Sequence, residues 1–371
     1  MSALDRRLIT HINWSLMGFT AILFCVGVAN LYSASGVRNE DGIFVSPFFH
    51  KQLLWGLGGV ASMTVCTLFD YRHLRSLALP LFIFSLLLLL LVPVIGKSVY
   101  GAKRWIDLGF FSLQPSEFAK ISTLLLSASL LSRHKEPLNW RELFFMLCVV
   151  PPPCLLIFFQ PDLGTTLMVL FLFGGTILYN GVKKHVFKTC CIVIPLLLPF
   201  SWLILKDYHK ERIFTFLDPS RDLQGAGYHI TQSQIAIGSG QLWGKGFQEG
   251  TQSLLRFLPE KHTDFAFAVF SEEWGFLGCI ALLVLFCFFL SCIINTVRGA
   301  KDRFGSILCA GVFFYFFWQI LVNIGMVVGL MPVVGIPLPF ISYGGTATIV
   351  NFIMLGLVLN VSMRRFMFKS N

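Results

Sequence analysis

Long apolar runs separated by short polar stretches dominate this 371-residue chain. A helix needs roughly 17–25 apolar residues to cross a bilayer. Runs of that length fall at 14–35, 49–69, 75–95, 116–132, 143–160, 163–180, 187–205, 267–294, 306–330 and 341–362. The fifth and sixth are short and nearly abut across Gln160-Pro161-Asp162. The pattern predicts an all-α integral membrane protein of about ten transmembrane helices, one polytopic domain over 1–371. A large loop at about 206–266 separates helices seven and eight. The first run continues from Trp14 to about Ser35 without an A-x-A exit, so it reads as a span and not as a cleavable signal.

Composition removes the soluble alternatives. Apolar residues make up 55% of the chain, charged residues only 13%, and 39 residues are Phe. A soluble fold carries about twice that share of charge, and a disordered chain is poor in aromatic residues. The ten cysteines fall within or beside apolar runs, without zinc spacing, and read as small buried hydrophobes.

The net charge of +10 suits nucleic acid at first sight, but its distribution gives a simpler account. With the amino terminus taken as cytoplasmic, the loops on that side hold sixteen Lys and Arg. The short loops of the other face hold five: Arg38, Lys51, Lys97, Lys103 and Arg104. Positive residues collect on the cytoplasmic side of membrane proteins. Both termini are therefore expected in the cytoplasm, the loop at 206–266 outside, and no nucleic-acid partner.

Sixty residues exceed an ordinary connection, so the outer loop is functional or disordered. Its apolar members, among them Tyr228, Ile230, Ile237, Trp243 and Phe257, argue for a folded segment. Gly238-Ser239-Gly240 and Gly244-Lys245-Gly246 mimic a phosphate cradle, but the Walker spacing fails and no Ser or Thr follows Lys245. Tight turns are the better reading. Asp264, at the start of the eighth run, has two open readings: a helix cap, or a general base at the membrane surface. Glu117 and Lys120 are an i, i+3 pair, worth tenths of a kcal/mol at a wet site. Ionisable groups inside a span, however, usually face a cavity. With Lys103 and Arg104 they offer cations to an anion such as a diphosphate. Asp162 reads as a helix cap or a site residue. His262 is too isolated for a metal site. The uncharged loop 331–340, with three prolines, reads as a plain turn or a re-entrant rim for a lipid chain.

Several blocks resemble the SEDS family (shape, elongation, division and sporulation). They are Gly101-Ala102-Lys103-Arg104-Trp105-Ile106-Asp107-Leu108-Gly109, Gln114-Pro115-Ser116-Glu117-Phe118-Ala119-Lys120 and Gln160-Pro161-Asp162-Leu163-Gly164-Thr165. Stronger still are Phe257-Leu258-Pro259-Glu260-Lys261-His262-Thr263-Asp264-Phe265 and Pro337-Leu338-Pro339-Phe340-Ile341-Ser342-Tyr343-Gly344-Gly345. Gly250-Thr251-Gln252-Ser253 and Asn323-Ile324-Gly325-Met326 look like the elongation branch of that family. Lys261 and Ala266 depart from its common residues, away from the proposed chemistry.

The resemblance implies ten spans in a bacterial cytoplasmic membrane. It implies a glycosyltransferase that polymerises lipid II, a polyprenyl-diphosphate-linked disaccharide peptide, for cell elongation. Its implied partners are a class B penicillin-binding protein transpeptidase and other membrane proteins of the elongation complex. The family's essential aspartate maps onto Asp264. Lys103, Arg104, Trp105, Glu117, Lys120, Asp162 and Glu260 are the expected substrate contacts. No cofactor is required, and a divalent cation (Mg or Mn) remains an open addition. Two other classes compete. A lipid II flippase needs a polar path through both leaflets, and a noncatalytic scaffold has no need of charges inside the fourth run.

Overall fold

The computed structural model describes residues 12–365 apart from 36, 40–41, 45–46, 100–101, 108, 110–111, 135, 205–206, 223–224, 256 and 259. Both chain ends, Lys206, Gly101, Leu108 and Pro259 lie outside the described residues. Each predicted run is helical: α1 (Trp14–Ser35), α2 (Pro47–Leu68), α3 (Tyr71–Ile95), α4 (Pro115–Leu131), α5 (Trp140–Leu147), α6 (Pro151–Phe159), α7 (Leu163–Asn180) and α8 (Lys184–Ile204). After the outer segment come α12 (Ala266–Gly299), α13 (Arg303–Val328) and α14 (Gly345–Met363). The outer segment itself folds into α9 (Asp207–Leu217), α10 (Ala226–Ser239) and α11 (Thr251–Leu254).

Among the described residues, seven segments are long and apolar enough to cross a membrane: α1, α3, the α5–α6 pair together, α7, α12, α13 and α14. The other three predicted runs form helices α2, α4 and α8 but fall short of that measure. Large apolar side chains such as Leu57, Leu87, Leu196 and Phe288 point outward, as a lipid-facing surface requires.

Four local details differ from the pattern reading. The fifth run is two helices, because Pro151-Pro152-Pro153 lacks N–H donors and starts a new helix after Leu147. The last span begins at Gly345 instead of 341, after an irregular 332–344. Two small antiparallel sheets join the spans: β1 (Val37–Asn39) with β2 (Gly42–Phe44), and β3 (Lys97–Val99), β4 (Ala102–Asp107) and β5 (Ser112–Leu113) in that order. Only Cys154 and Cys309 are buried, while Cys25, Cys148, Cys191 and Cys287 are exposed.

The bundle closes through elements far apart in sequence. α2 packs along α14, where Gln52 Nε2 donates to Thr348 Oγ1 at 3.2 Å and Asn360 Nδ2 donates to the Cys66 and Phe69 carbonyls. At the same end Arg364 Nη2 donates to Leu68 O at 3.1 Å.

The first turns of α12 do not face lipid. Ala266–Glu273 are all buried, and the helix breaks at Gly275, whose φ of 64° and ψ of −166° suit glycine alone. The turn at 240–246 serves the open backbone groups of this break. Lys245 N donates to Glu272 O at 3.0 Å, Gly246 N to Glu273 O at 3.1 Å, and Phe276 N to Gln241 O at 2.8 Å. Lys245 Nζ also meets the buried Glu272 carboxylate at 2.7 Å. The glycine-rich turn is thus a seat for a broken helix. A Cβ on Gly275 would lie 2.2 Å from Gly244 N. Gly275→Ala should therefore destabilise the fold by about 1–3 kcal/mol or more. A thermal midpoint in detergent lowered by several degrees is expected, and an unchanged midpoint would mean that the break is not locked.

Candidate active site

A cavity of about 900 Å³ opens where the outer loops meet the ends of α2, α4, α7, α13 and α14. Asp264 lines it, one residue before the α12 N-cap, Phe265. Its carboxylate does not cap that helix, which has no side-chain cap. The backbone holds it instead: Asn323 Nδ2 donates to Asp264 O at 2.9 Å and to Ile336 O at 2.7 Å. This ties the start of α12 to the 332–344 loop. Val334, Ile336, Leu338 and Phe340 of that loop are buried in protein, so it is a packed wall of the site. Asp264 is half-buried at the cavity wall, surrounded by protein that desolvates its carboxylate, and the nearby Glu260 and Asp162 carboxylates repel its charge. Arg212 offsets only part of this, and the Asp264 carboxyl is raised from its ordinary 3.8 to about 7.

Glu117 and Lys120 project from the first turns of α4 into the same cavity. Pro115 at the first helical position and the apolar face below set that geometry. Lys120 Nζ meets Glu117 Oε1 at 2.6 Å, and their side chains are 4% and 7% exposed. The ammonium also lies 5.1 Å from the Tyr315 ring centre. This pair is buried and aromatic-lined, unlike the wet surface pair that the spacing alone suggests.

Asp162 fulfils both of its sequence readings. It caps α7, accepting from Thr165 N at 3.1 Å, and it lines the cavity, with Gln114 Nε2 at 3.2 Å. Arg104 and Trp105 on β4 also line the cavity. Arg104 Nε donates to Gln160 O at 3.0 Å and Nη2 donates to Pro161 O, so part of its donor set holds the turn before α7. Lys103, its neighbour on the strand, turns away and donates to Pro93 O at 3.3 Å. The β3–β4 register is irregular here, with Ser98 opposite Lys103 and Lys97 opposite Trp105, so Arg104 and Trp105 reach the cavity while Lys103 stands off its wall. Glu260 also stands off the wall. Its Oε2 accepts from Thr263 Oγ1 at 2.9 Å, and it acts on Asp264 through charge.

Pattern reading missed several lining residues. Lys51 sits on the rim and Gln319 on the inner wall. Arg212 from α9 donates to Val333 O at 2.8 Å and partly neutralises Asp264. Gln319 had a usable signal, as one of two amides, with Asn323, in the apolar run 306–330. His262 packs against Phe48, and burial pushes its imidazole down to about 4, which keeps it neutral. Among the described residues no three His, Cys, Asp or Glu side chains converge as a cation set.

Comparison with known proteins now decides the family. The sequence model for FtsW, RodA and SpoVE, described as "Cell cycle protein", matches residues 13–366. The chain belongs to this family. It is 39% identical over 308 residues to peptidoglycan glycosyltransferase MrdB of Escherichia coli K12, which covers 83% of each protein. A chain of a peptidoglycan synthase complex that coordinates polymerization and crosslinking superposes with a TM-score of 0.82 and 30% identity. That match covers 96% of this chain and 99% of the other. The rod shape determining protein RodA of Thermus thermophilus superposes at 0.72 with 28% identity, over 96% and 98%. This FtsW/RodA/SpoVE family is the SEDS family that the motif blocks resemble, and the family fold is a multi-pass helical membrane protein.

Proposed function

We propose that this FtsW/RodA/SpoVE-family protein is a peptidoglycan glycosyltransferase that polymerises lipid II, with Asp264 as its general base. The observation that carries the reading is a carboxyl held at about 7 in a cavity that also presents Lys120, Arg104 and Lys51. A base is most effective when its pKa lies near the working pH.

The sugar donor already carries a diphosphate, a good leaving group, so no acid need protonate a departing alcohol. Asp264 takes the proton of the acceptor hydroxyl as that oxygen bonds to the anomeric carbon. The bond from that carbon to the diphosphate oxygen breaks, and the electron pair leaves with the diphosphate. One displacement inverts the anomeric centre. Lys120 has one of its three donors on Glu117 and offers the others to the developing phosphate charge. Arg104, Lys51 and Trp105 line the outer part of that path, and Asp162 holds the turn beneath it. Lys103 and Glu260 stand off the wall, and Glu260 acts through its charge on Asp264. The apolar rim between α2 and α14, with Leu54 and Ile349, suits the polyprenyl chain.

A flippase is less well supported. Below Lys120 the helix buries Leu124, Leu125 and Leu131, and Ser122 and Ser127 bond to backbone carbonyls within α4. The elongation-type motifs and the 39% identity to MrdB favour a RodA role over an FtsW role. A class B penicillin-binding protein is the natural crosslinking partner, given the likeness to a synthase-complex chain. Purified protein in liposomes should build glycan strands from lipid II, more so with that partner. No product under either condition would overturn the activity.

The loop charges support cytoplasmic termini and an outer site in the bacterial cytoplasmic membrane. Cysteines placed at Glu249 and Lys184, both exposed, should react with an impermeant reagent from opposite sides. Labelling of both from one side would contradict the ten-span topology.

A further inference from the structure

The walls that α4, α13 and α14 give the cavity contain buried polar atoms that can accept hydrogen bonds. Glu117 Oε1 accepts Lys120, but Glu117 Oε2 is buried without a partner. Gln319 is 1% exposed, and its Oε1 is likewise buried without a partner. An amide oxygen can only accept, so Gln319 Oε1 is an open acceptor, and its neighbour Tyr315 already gives its hydroxyl hydrogen to Asn351 Oδ1 at 2.7 Å. Thr346 Oγ1 is a third buried atom without a partner. Glu117, Gln319 and Thr346 all line the cavity.

Buried polar groups are almost always paired, and an orphan at a cavity wall points to a missing ligand atom. A carboxylate oxygen and an amide oxygen call for donors. A diphosphate at neutral pH offers acceptors only, and a polyprenyl chain offers neither. The part of the proposed substrate rich in O–H and amide N–H donors is its glycan. Lys120, beside these acceptors, has the opposite need, since its remaining donors call for an anion. Donors for phosphate and acceptors for sugar thus adjoin at one point.

Resting on the proposed lipid II reading, we infer that Gln319 and Glu117, with Thr346, form a pocket that accepts hydrogen bonds from hydroxyl or amide N–H groups of the sugar attached to the diphosphate. Gln319 is then a specificity-determining residue. It distinguishes a sugar-bearing polyprenyl diphosphate from the bare lipid, because an acceptor-lined site rejects a ligand that leaves its acceptors unpaired.

The test compares two ligands on the full-length protein in nanodiscs: lipid II, and the same polyprenyl diphosphate without sugar. Gln319→Met keeps the bulk and removes the acceptor. It should weaken lipid II binding by about tenfold or more and leave binding of the bare lipid unchanged. Equal loss for both ligands would mean general damage to the cavity, and no loss for either would mean that water satisfies these atoms. Either outcome overturns the pocket. Should Gln319→Met not fold, Thr346→Val takes the same two measurements, with a smaller loss expected for lipid II alone. Here too, the absence of a selective loss overturns the inference. Wild-type polymerisation separates the two levels. An active wild type whose variants lose nothing selectively removes only the pocket, whereas a wild type that neither polymerises nor binds lipid II removes the activity beneath it as well.

Discussion

Asp264→Asn should nearly abolish polymerisation while making the protein more stable above neutral pH. Loss of a general base typically costs about 10²–10⁴-fold in rate, and Asn cannot take the proton. The stability effect has the opposite sign. The folded protein raises the Asp264 carboxyl from 3.8 to about 7, so it binds that proton more tightly than the unfolded chain does. The resulting stabilisation is complete below about pH 4 and is lost as pH rises through about 7. At pH 8 the native state must hold a carboxylate where a neutral group fits better, at a cost on the order of 4 kcal/mol at most. Asn removes that cost, and no helix cap is lost, because Asp264 caps nothing. The wild-type rate should rise with a midpoint near pH 7, and this limb should be absent from any residual Asn activity. A folded Asp264→Asn protein that still makes long glycan would exclude the residue as base.

Lys120→Met should damage both activity and stability, and a second substitution separates the two. The pair with Glu117 is 4% and 7% exposed, so removing the cation strands a buried carboxylate. Breaking a buried pair in this way costs about 3–5 kcal/mol, far above the tenths expected of a surface pair. Lys120→Met combined with Glu117→Gln leaves a neutral site of similar volume and should recover most of the stability. Activity should stay at least about 10²-fold low, the usual cost of losing one preorganised charge donor. Near-normal polymerisation by the double variant would show that the pair serves only the fold.

The apolar spans were legible because bilayer thickness imposes a minimum run of hydrocarbon, a constraint local enough to read from the sequence. Asp264, Glu117 and Lys120 were legible because charge is rare near lipid and costly without a purpose. Other features depend on tertiary contact. The strand over 102–107 hides in a short charged stretch, so Lys103 and Arg104 look equivalent until the irregular strand register separates them. Gly275 lies in an apolar run and looks like a tolerated helix glycine, until Gly244 is found against it. Arg212 reads as one more loop charge, because what gives it meaning is Asp264, more than fifty positions away.

The pairing of α2 with α14 bears on how the chain is made. Membrane proteins enter the bilayer in order of synthesis, and the Gln52–Thr348 and Asn360 bonds join the second helix to the last. Tyr315 over Lys120 and Asn351 behind Tyr315 are also late arrivals. Until α13 and α14 are made, Glu117 and Lys120 have each other but not the Tyr315 ring that later covers the ammonium. Their pairing within a single helix turn, which contributes little at a wet surface, lets the nascent span tolerate two charges until its permanent neighbours are translated. A chain that stops before α14 should insert yet contain no enclosed cavity, and separately expressed halves should regain one only after they find each other in the membrane.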